Sequence, residues 1–157
     1  MVLKVAIQMD PIESIDVGGD STFALGLEAQ KRGFELHYYL PEDMSLRDGA
    51  VTARLRSLVL RDKSEDYFSA EPEEVHNLKD MDVVLMRQDP PFDMAYITAT
   101  YLLEMLDPKT MVVNNPAEVR NAPEKLLVTL YPDLMPATLI SRDIEIIKAF
   151  RRKHKDI

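Results

Sequence analysis

The sequence predicts an α/β fold: a mostly parallel sheet with helices on both faces and an antiparallel hairpin excursion. Short apolar runs of strand length alternate with segments of helical length along most of the 157 residues. Residues 44–70 depart from this rhythm, because an Asp-Gly pair is followed there by apolar-polar alternation. The length suffices for one core of ordinary size.

The beginning of the chain predicts one parallel βαβ unit. VLKVAIQM has the apolar character of a buried strand, and FELHYYL has the aromatic residues and alternation of the next one. Between them, Asp20 or Ser21 supplies an N-cap for the helix TFALGLEAQKR. Gly33 is placed to end this helix in the left-handed conformation.

The later elements resume the α/β rhythm. MDVVLMR and TMVVNN predict strands, and between them MAYITATYLLEML predicts a helix that is apolar on nearly every side and therefore buried on more than one face. Short helices are predicted around AEVRN and EKLLVTL, followed by a strand, ATLIS, and a helix, IEIIKAFRRKHK. Asp156-Ile157 resembles the start of another strand, which predicts that the chain is a fragment.

Composition narrows the classes of function. The formal charge is -8 and the only basic cluster, RRKHK, suits the last turn of a helix, so nucleic-acid binding is not expected. The absence of cysteine excludes disulfides, thiolate metal sites and a cysteine nucleophile, and the histidines (His37, His76 and His154) have no metal-ligand spacing. No signal sequence and no apolar run of the ~18 residues that span a bilayer is found, so we expect a cytoplasmic protein without membrane partners.

Polar residues follow the carboxyl ends of the predicted parallel strands, where ligands collect in an open α/β sheet. Distinctive loops begin after MVLKVAIQM, after MDVVLM and after TMVV. All of them join a strand to a helix, so they share one edge of the sheet. We therefore expect a set of polar residues to lie within reach of a single ligand: Asp10, Asp20, Ser21, Arg87, Asp89 and Asn114.

Arg87, in the stretch MRQDPPFD, is the most informative member of this set. Its planar guanidinium can bind a carboxylate or a phosphate through two parallel N–H donors. The Pro90-Pro91 pair holds the backbone extended, and either X-Pro bond can be cis. Two interpretations stay open: Arg87 binds an anionic ligand, or it pairs with Asp89 or Asp93 where the strand ends.

Four stretches, in order, resemble the bacterial glutathione synthetases, which are ATP-grasp ligases. They are MDPIESIDVGGDSTFALGLEAQKRGFELHYY, VVLMRQDPPFDMAYITATYLLE, VVNNPAEVRNAPEKL and PATLISRD, and the most specific piece is RQDPPFD followed by YITATYLLE. The resemblance covers nearly the whole chain but only the amino-terminal part of that family's proteins. It implies a ligase that joins γ-glutamylcysteine to glycine with ATP and Mg²⁺, through an acyl phosphate.

The resemblance also implies a domain division and roles for residues. Residues 1–122 would form a Rossmann-like pre-ATP-grasp domain, and residues 123–157 a bridge and the truncated start of the ATP-grasp nucleotide-binding region. Arg87 would hold a carboxylate of the peptide, with nearby polar contacts from Asp10, Asp20 and Ser21. Lys125 would reach an ATP phosphate from the bridge. The chain carries no catalytic residue or metal ligand on this view, so it is expected to be inactive alone and part of a homo-oligomeric enzyme.

Two departures and two alternatives accompany this expectation. Gln88 and Asn115 stand where the family often has lysine, so any role of those lysines is absent or moved. A stand-alone α/β module that binds an anionic small molecule is one alternative. Another ATP-grasp peptide ligase is the second, and it would differ in the ligand at Arg87.

Overall fold

The structure is a computed structural model that describes residues 2–106 and 108–155. The chain divides into two compact units, Met1–Asn121 and Ala122–Ile157. The strands, all in the first unit, are β1 (Lys4–Gln8), β2 (Glu35–Tyr39), β3 (Met44–Arg47), β4 (Ala50–Leu60), β5 (Phe68–Ala70), β6 (Glu74–Asn77), β7 (Val83–Met86) and β8 (Met111–Val113). The helices of that unit are α1 (Ser21–Lys31), α2 (Met94–Glu104) and α3 (Pro116–Asn121). The second unit contains α4 (Glu124–Leu127) and α5 (Ile144–His154).

The described strands form one sheet in the order β3-β4-β2-β1-β7-β8, and β5 and β6 pair with β4 outside this path. β1 runs parallel to β2 and β7, and β7 runs parallel to β8. Helix α1 connects β1 to β2, and α2 connects β7 to β8, so both helices are crossovers between parallel neighbours. The predicted α/β fold class is confirmed.

Two apolar clusters cover the two faces of the central strands. Along β1, Val5 and Ile7 belong to a cluster that includes Phe23 of α1, whereas Ala6 belongs to a second cluster that includes Ala99 of α2. Successive side chains of a strand point to opposite faces. Helices α1 and α2 therefore lie on opposite faces of the sheet, as the sequence predicts.

Helix α1 begins and ends where the sequence predicts. The N-cap is Asp20, whose Oδ1 accepts a hydrogen bond of 2.6 Å from the backbone N–H of Phe23. Just after the helix, Gly33 takes φ +79°, which a side chain would disfavour. Gly26 allows a close approach to β4, because an added Cβ would lie 2.5 Å from Leu60 Cδ1. The N-terminus of α1 is thereby positioned at the edge of the sheet that carries the polar loops.

The long strand β4 organises the antiparallel part. Asp48 and Gly49, with φ of 51° and 79°, form the tight turn between β3 and β4, so the predicted hairpin is confirmed. β4 also pairs antiparallel with β2, β5 and β6. The sequence does not predict strand β6, because this four-residue segment, EVHN, is short and has a single apolar residue. Its pairing with β4 is what makes it a strand.

The prediction that α2 is buried on more than one face is wrong. Ala99 and Leu103 are 4% and 1% exposed and pack on the sheet, but Tyr101 and Met105 are 54% and 52% exposed. The sheet offers the helix a single face. Helix α3 adds only a partial second cover, where the Arg120 guanidinium lies 4.1 Å from the centre of the Tyr101 ring.

The second unit is helical wherever its described residues have regular structure. Helix α5 begins at the N-cap Asp143, whose Oδ1 accepts from the backbone N–H of Glu145 at 2.9 Å. The strand predicted at ATLIS (residues 137–141) is wrong, because a strand needs a pairing neighbour and none of the described residues supplies one. The strand start predicted at Asp156-Ile157 lies outside the described residues. Across the described part of the chain, no helix has the length and apolar character needed to cross a bilayer.

Candidate functional site

The carboxyl ends of β1, β7 and β8 lie side by side at one edge of the sheet. β1 and β7 are in register through Gln8 and Met86, and β7 and β8 through Leu85 and Val113. The loops that follow these strands therefore start at a common edge, which is where α/β sheets usually bind ligands.

A cavity of about 300 Å³ opens at this edge between the loop after β1, the start of α1 and the end of β7. The structure brings together in its lining most of the residues proposed from the sequence: Asp10, Asp20, Ser21, Arg87 and Asp89. The lining also contains residues outside that proposed set: Met9, Ser14, Ile15, Asp16, Gly19 and Thr22. We call this space the strand-end cavity.

Arg87 is held by two hydroxyl groups of α1. Its Nε donates to Thr22 Oγ1 at 3.0 Å, and its Nη2 donates to Ser21 Oγ at 2.7 Å. The side chain is half-buried, and it makes no ion pair with Asp89, Asp93 or any other carboxylate of the described residues. A guanidinium has five N–H donors. Donors on Nη1 and Nη2 therefore remain available to a ligand.

The loop after β7 is fixed to the loop after β1. The backbone N–H of Asp89 donates to Asp10 Oδ2 at 2.9 Å, and this bond joins two cavity walls. The Pro90-Pro91 peptide bond is cis. Beyond the prolines, Asp93 is the N-cap of α2, because its Oδ1 accepts from the backbone N–H of Tyr96 at 3.0 Å. The Asp93 carboxylate is thus used in capping α2, and neither Asp89 nor Asp93 forms an ion pair with Arg87.

A tight turn leads from the β1 loop into α1. The backbone N–H of Gly18 donates to Asp16 Oδ1 at 3.1 Å, and that of Asp20 donates to the Asp16 carbonyl at 2.8 Å. Gly19 is packed against the same side chain, since an added Cβ would lie 3.2 Å from Asp16 Oδ2. These contacts place the carboxylates of Asp16 and Asp20 in the lining of the strand-end cavity, beside the N-terminus of α1 to which Arg87 donates.

Residues from the antiparallel part of the sheet contact the loop and the helix that line the cavity. Ile12, in the loop after β1, is 1% exposed, and its carbonyl accepts a 2.9 Å hydrogen bond from the Tyr67 hydroxyl. The Tyr67 ring also meets the ring of Phe23 edge-on, with centroids 5.9 Å apart. Arg56 Nη1 of β4 lies 3.9 Å from Glu13 Oε1. No pattern in the sequence indicates these contacts, because they join residues more than forty positions apart.

Tyr96 of α2 lies near the charges at the end of β7. Burial raises the pKa of the Tyr96 hydroxyl above its ordinary value, the positive charge of Arg87 lowers it, and the negative charge of Asp89 raises it. Tyr96 does not line the strand-end cavity.

Two of the proposed site residues lie outside the strand-end cavity. Asn114 follows β8 at the same edge of the sheet, but it is exposed and does not line the cavity. Lys125 lies in α4, in the second unit of the chain. Within residues 2–106 and 108–155, no group of three or more His, Asp or Glu side chains is arranged to hold a metal ion.

Comparison with known proteins gives consistent matches over the whole chain. Residues 3–120 match the family model described as prokaryotic glutathione synthetase, N-terminal domain. A glutathione synthetase of Rhodopseudomonas palustris is 58% identical over 98% of this chain and 49% of its own length. One of Brucella melitensis is 54% identical over 100% of this chain and 50% of its own length. One of Escherichia coli is 45% identical over 99% of this chain and 50% of its own length. The chain thus spans about half the length of the curated relatives that it matches.

Proposed function

Because this chain belongs to the prokaryotic glutathione synthetase family, through the N-terminal domain of that family, we propose that it is the peptide-binding half of an ATP-dependent ligase. The ligase joins γ-glutamylcysteine to glycine, and the strand-end cavity holds the peptide. The observation that carries the proposal is the state of Arg87, which keeps N–H donors facing the cavity and has no carboxylate partner among the described residues.

In the proposed reaction, this half of the protein binds and orients the peptide substrate. In the proposed sequence, the cysteinyl carboxylate attacks the terminal phosphorus of ATP, and ADP leaves. The amine of glycine then attacks the acyl carbon, and inorganic phosphate leaves as the peptide bond forms. A second carboxylate of the peptide, gripped by Arg87, fixes the molecule while the first one reacts. A fixed carboxylate lowers the entropic barrier of the phosphoryl transfer.

The nucleotide and Mg²⁺ are assigned mainly to residues beyond those that this chain supplies. Mg²⁺ is bound by several oxygen ligands, and the described residues present no such cluster, so we assign its ligands to the other half of the ligase. Lys125 is the proposed contact to an ATP phosphate, since its position in APEKL resembles that of the family lysine. ATP is supplied in the cytoplasm, where we therefore expect the protein to act.

A binding titration and a turnover assay test the proposal. The purified 157-residue chain is expected to bind γ-glutamylcysteine, yet to release no ADP when glycine and Mg-ATP are added. Peptide-dependent ADP release by the chain alone would contradict the assignment to a substrate-holding half. Failure of the chain to bind the peptide would contradict the role of the strand-end cavity.

The alternatives are less well supported. Neither a stand-alone sensing module nor a different peptide ligase is favoured by relatives that are named glutathione synthetase over the whole chain. Homo-oligomerisation, which the family resemblance implies, stays a prediction.

A further inference from the structure

Strand β6 is an edge strand whose outer side has no partner among the described strands. β3 and β6 both pair with Thr52 and Ala53 of β4, so they lie on opposite edges of that strand. β6 pairs with no other described strand. At its centre, Val75 is 71% exposed. An uncovered strand edge that carries an exposed apolar residue is a template for pairing with a strand of another chain.

The backbone hydrogen-bonding groups of Val75 point away from β4. Successive residues of a strand direct their N–H and C=O groups to alternate sides. The two-residue Asp48-Gly49 loop makes Ala50, the first residue of β4, a hydrogen-bonded partner of β3. Even-numbered residues of β4 therefore face β3, and odd-numbered ones face β6. The odd-numbered residues are opposite Glu74 and His76, so the N–H and C=O of Val75, between these two, are directed to the free side.

Residues of opposite charge type flank Val75 in the stretch EEVHN. Glu74, whose side chain is 77% exposed, precedes it, and His76, which becomes positive when protonated, follows it. When two copies of β6 pair antiparallel about Val75, Glu74 of each copy is opposite His76 of the other, and opposite charges at such positions stabilise a strand pair. Parallel pairing would instead place each glutamate beside its own counterpart. The segment is therefore complementary to a second copy of itself, related by a two-fold axis.

We propose that two copies of this chain associate through β6 into a symmetric dimer with one continuous sheet. The Val75 N–H of each copy donates to the Val75 C=O of the other. Two Glu74–His76 pairs flank these bonds on one face of the sheet, and the two Val75 side chains are neighbours on the other face. The contact closes on itself, so it produces dimers and no longer assemblies. The inference goes beyond the proposed function and does not depend on it, because no residue of β6 lines the strand-end cavity.

Sedimentation velocity of the purified 157-residue chain over a series of protein concentrations tests the dimer. A pair of four-residue strands buries less than the ~1,200 Å² of a standard interface. We therefore expect weak, reversible association with a Kd on the order of 100 µM. A chain that stays monomeric up to about 1 mM, tenfold above that Kd, overturns the inference. Assemblies larger than a dimer overturn it too, because the proposed contact closes on itself.

Charge reversal tests whether β6 is the contact, at about pH 6, where histidine side chains are largely protonated. Glu74→Lys and His76→Glu each place like charges across the two-fold axis, so each variant should dimerise about tenfold more weakly. A mixture of the two variants should form a heterodimer, because the introduced lysine then meets the introduced glutamate, and His76 of one variant meets Glu74 of the other. Glu65→Lys, in an exposed part of the loop between β4 and β5, is the control for the change in net charge and should leave the dimer Kd unchanged.

Val75→Pro tests the backbone bonds between the two copies. Proline lacks the N–H that Val75 directs outward, and edge strands accept proline where that N–H faces solvent, so the pairing of β6 with β4 is kept. The dimer Kd should rise about tenfold or more, because both central hydrogen bonds are lost. Unchanged dimerisation of the folded variant overturns β6 as the contact. If the variant does not fold, the mixture of charge variants decides: a heterodimer supports the inference, and its absence overturns it.

Discussion

Arg87 leaves the end of β7 with a full positive charge, yet its hydrogen-bond partners on α1 are the neutral hydroxyls of Ser21 and Thr22. These hydroxyls fix the plane of the guanidinium but contribute no negative charge. The side chain is half-buried, so water compensates its charge only in part. At the scale of single residues, the Arg87 side chain is therefore preorganised to bind a ligand carboxylate.

Replacing Arg87 with lysine tests whether the guanidinium binds a carboxylate of the peptide. Lysine keeps the charge but cannot offer two parallel donors to one carboxylate, so one oxygen would be left unpaired at a cost of about 1–3 kcal/mol. The Kd for γ-glutamylcysteine should rise roughly tenfold to a hundredfold. The melting temperature should fall by a few degrees, because the substitution removes hydrogen bonds to Ser21 and Thr22 but breaks no ion pair among the described residues.

The control for this substitution is Arg47→Lys, an exposed arginine at the end of β3 away from the strand-end cavity. It should leave both the Kd and the melting temperature unchanged. A Kd for Arg87→Lys equal to that of the unmodified chain would refute carboxylate binding by Arg87. A lowered melting temperature with intact binding would indicate that Arg87 has only a structural role.

At the scale of elements, the antiparallel excursion supports the cavity. The loop between β4 and β5 supplies Tyr67, which touches both the β1 loop, through the Ile12 carbonyl, and α1, through the Phe23 ring. Both elements contribute residues to the lining of the strand-end cavity. The excursion therefore sets the shape of a site to which it contributes no lining residue.

Tyr67→Phe should reveal this positioning role. The variant keeps the ring contact with Phe23 and removes only the hydrogen bond to the Ile12 carbonyl, which is worth about 1 kcal/mol. We expect a melting temperature lower by about 2–4 °C and a severalfold higher Kd for γ-glutamylcysteine. Tyr101→Phe, which removes an exposed hydroxyl on α2, is the matched control and should change neither value. A shift in melting temperature with no change in Kd would mean that Tyr67 stabilises the fold without shaping the site.

At the scale of the whole molecule, the two compact units are given different tasks. The first contains the sheet and the strand-end cavity, and the second contains α4 with Lys125. The proposal assigns the peptide to the first unit and a phosphate of ATP to the second. Such a division predicts that variants in one unit affect the binding of one substrate only.

Lys125→Ala tests the division in a hybrid that joins this chain to the second half of the Brucella melitensis relative. Loss of one charge-assisted phosphate contact, worth roughly 1.5–3 kcal/mol, should raise the Kd for ATP about tenfold to a hundredfold. The Kd for γ-glutamylcysteine should stay within about twofold of the unmodified hybrid. Lys63→Ala, in an exposed loop of the first unit, serves as the control. An unchanged ATP affinity would show that Lys125 does not reach the nucleotide.

Local chemistry determined much of this protein from the sequence alone. The Asp20 cap, the Gly33 terminus and the Asp48-Gly49 turn act within a few residues, so the pattern predicts them directly. The common edge that carries Asp10 and Arg87 is also predictable, because each residue follows a strand that leads into a helix, and such loops share one edge of a parallel sheet.

Only the tertiary structure decided the remainder. Whether Arg87 pairs with a neighbouring acid or rests on Ser21 and Thr22 depends on contacts between residues more than sixty positions apart. The strand β6, the exposure of Tyr101 on α2 and the failure of ATLIS to form a strand have the same origin. Hydrogen-bond pairing and burial depend on which other segment packs against a given segment. The apolar periodicity of one segment carries no information about that partner, so the sequence pattern alone does not predict them.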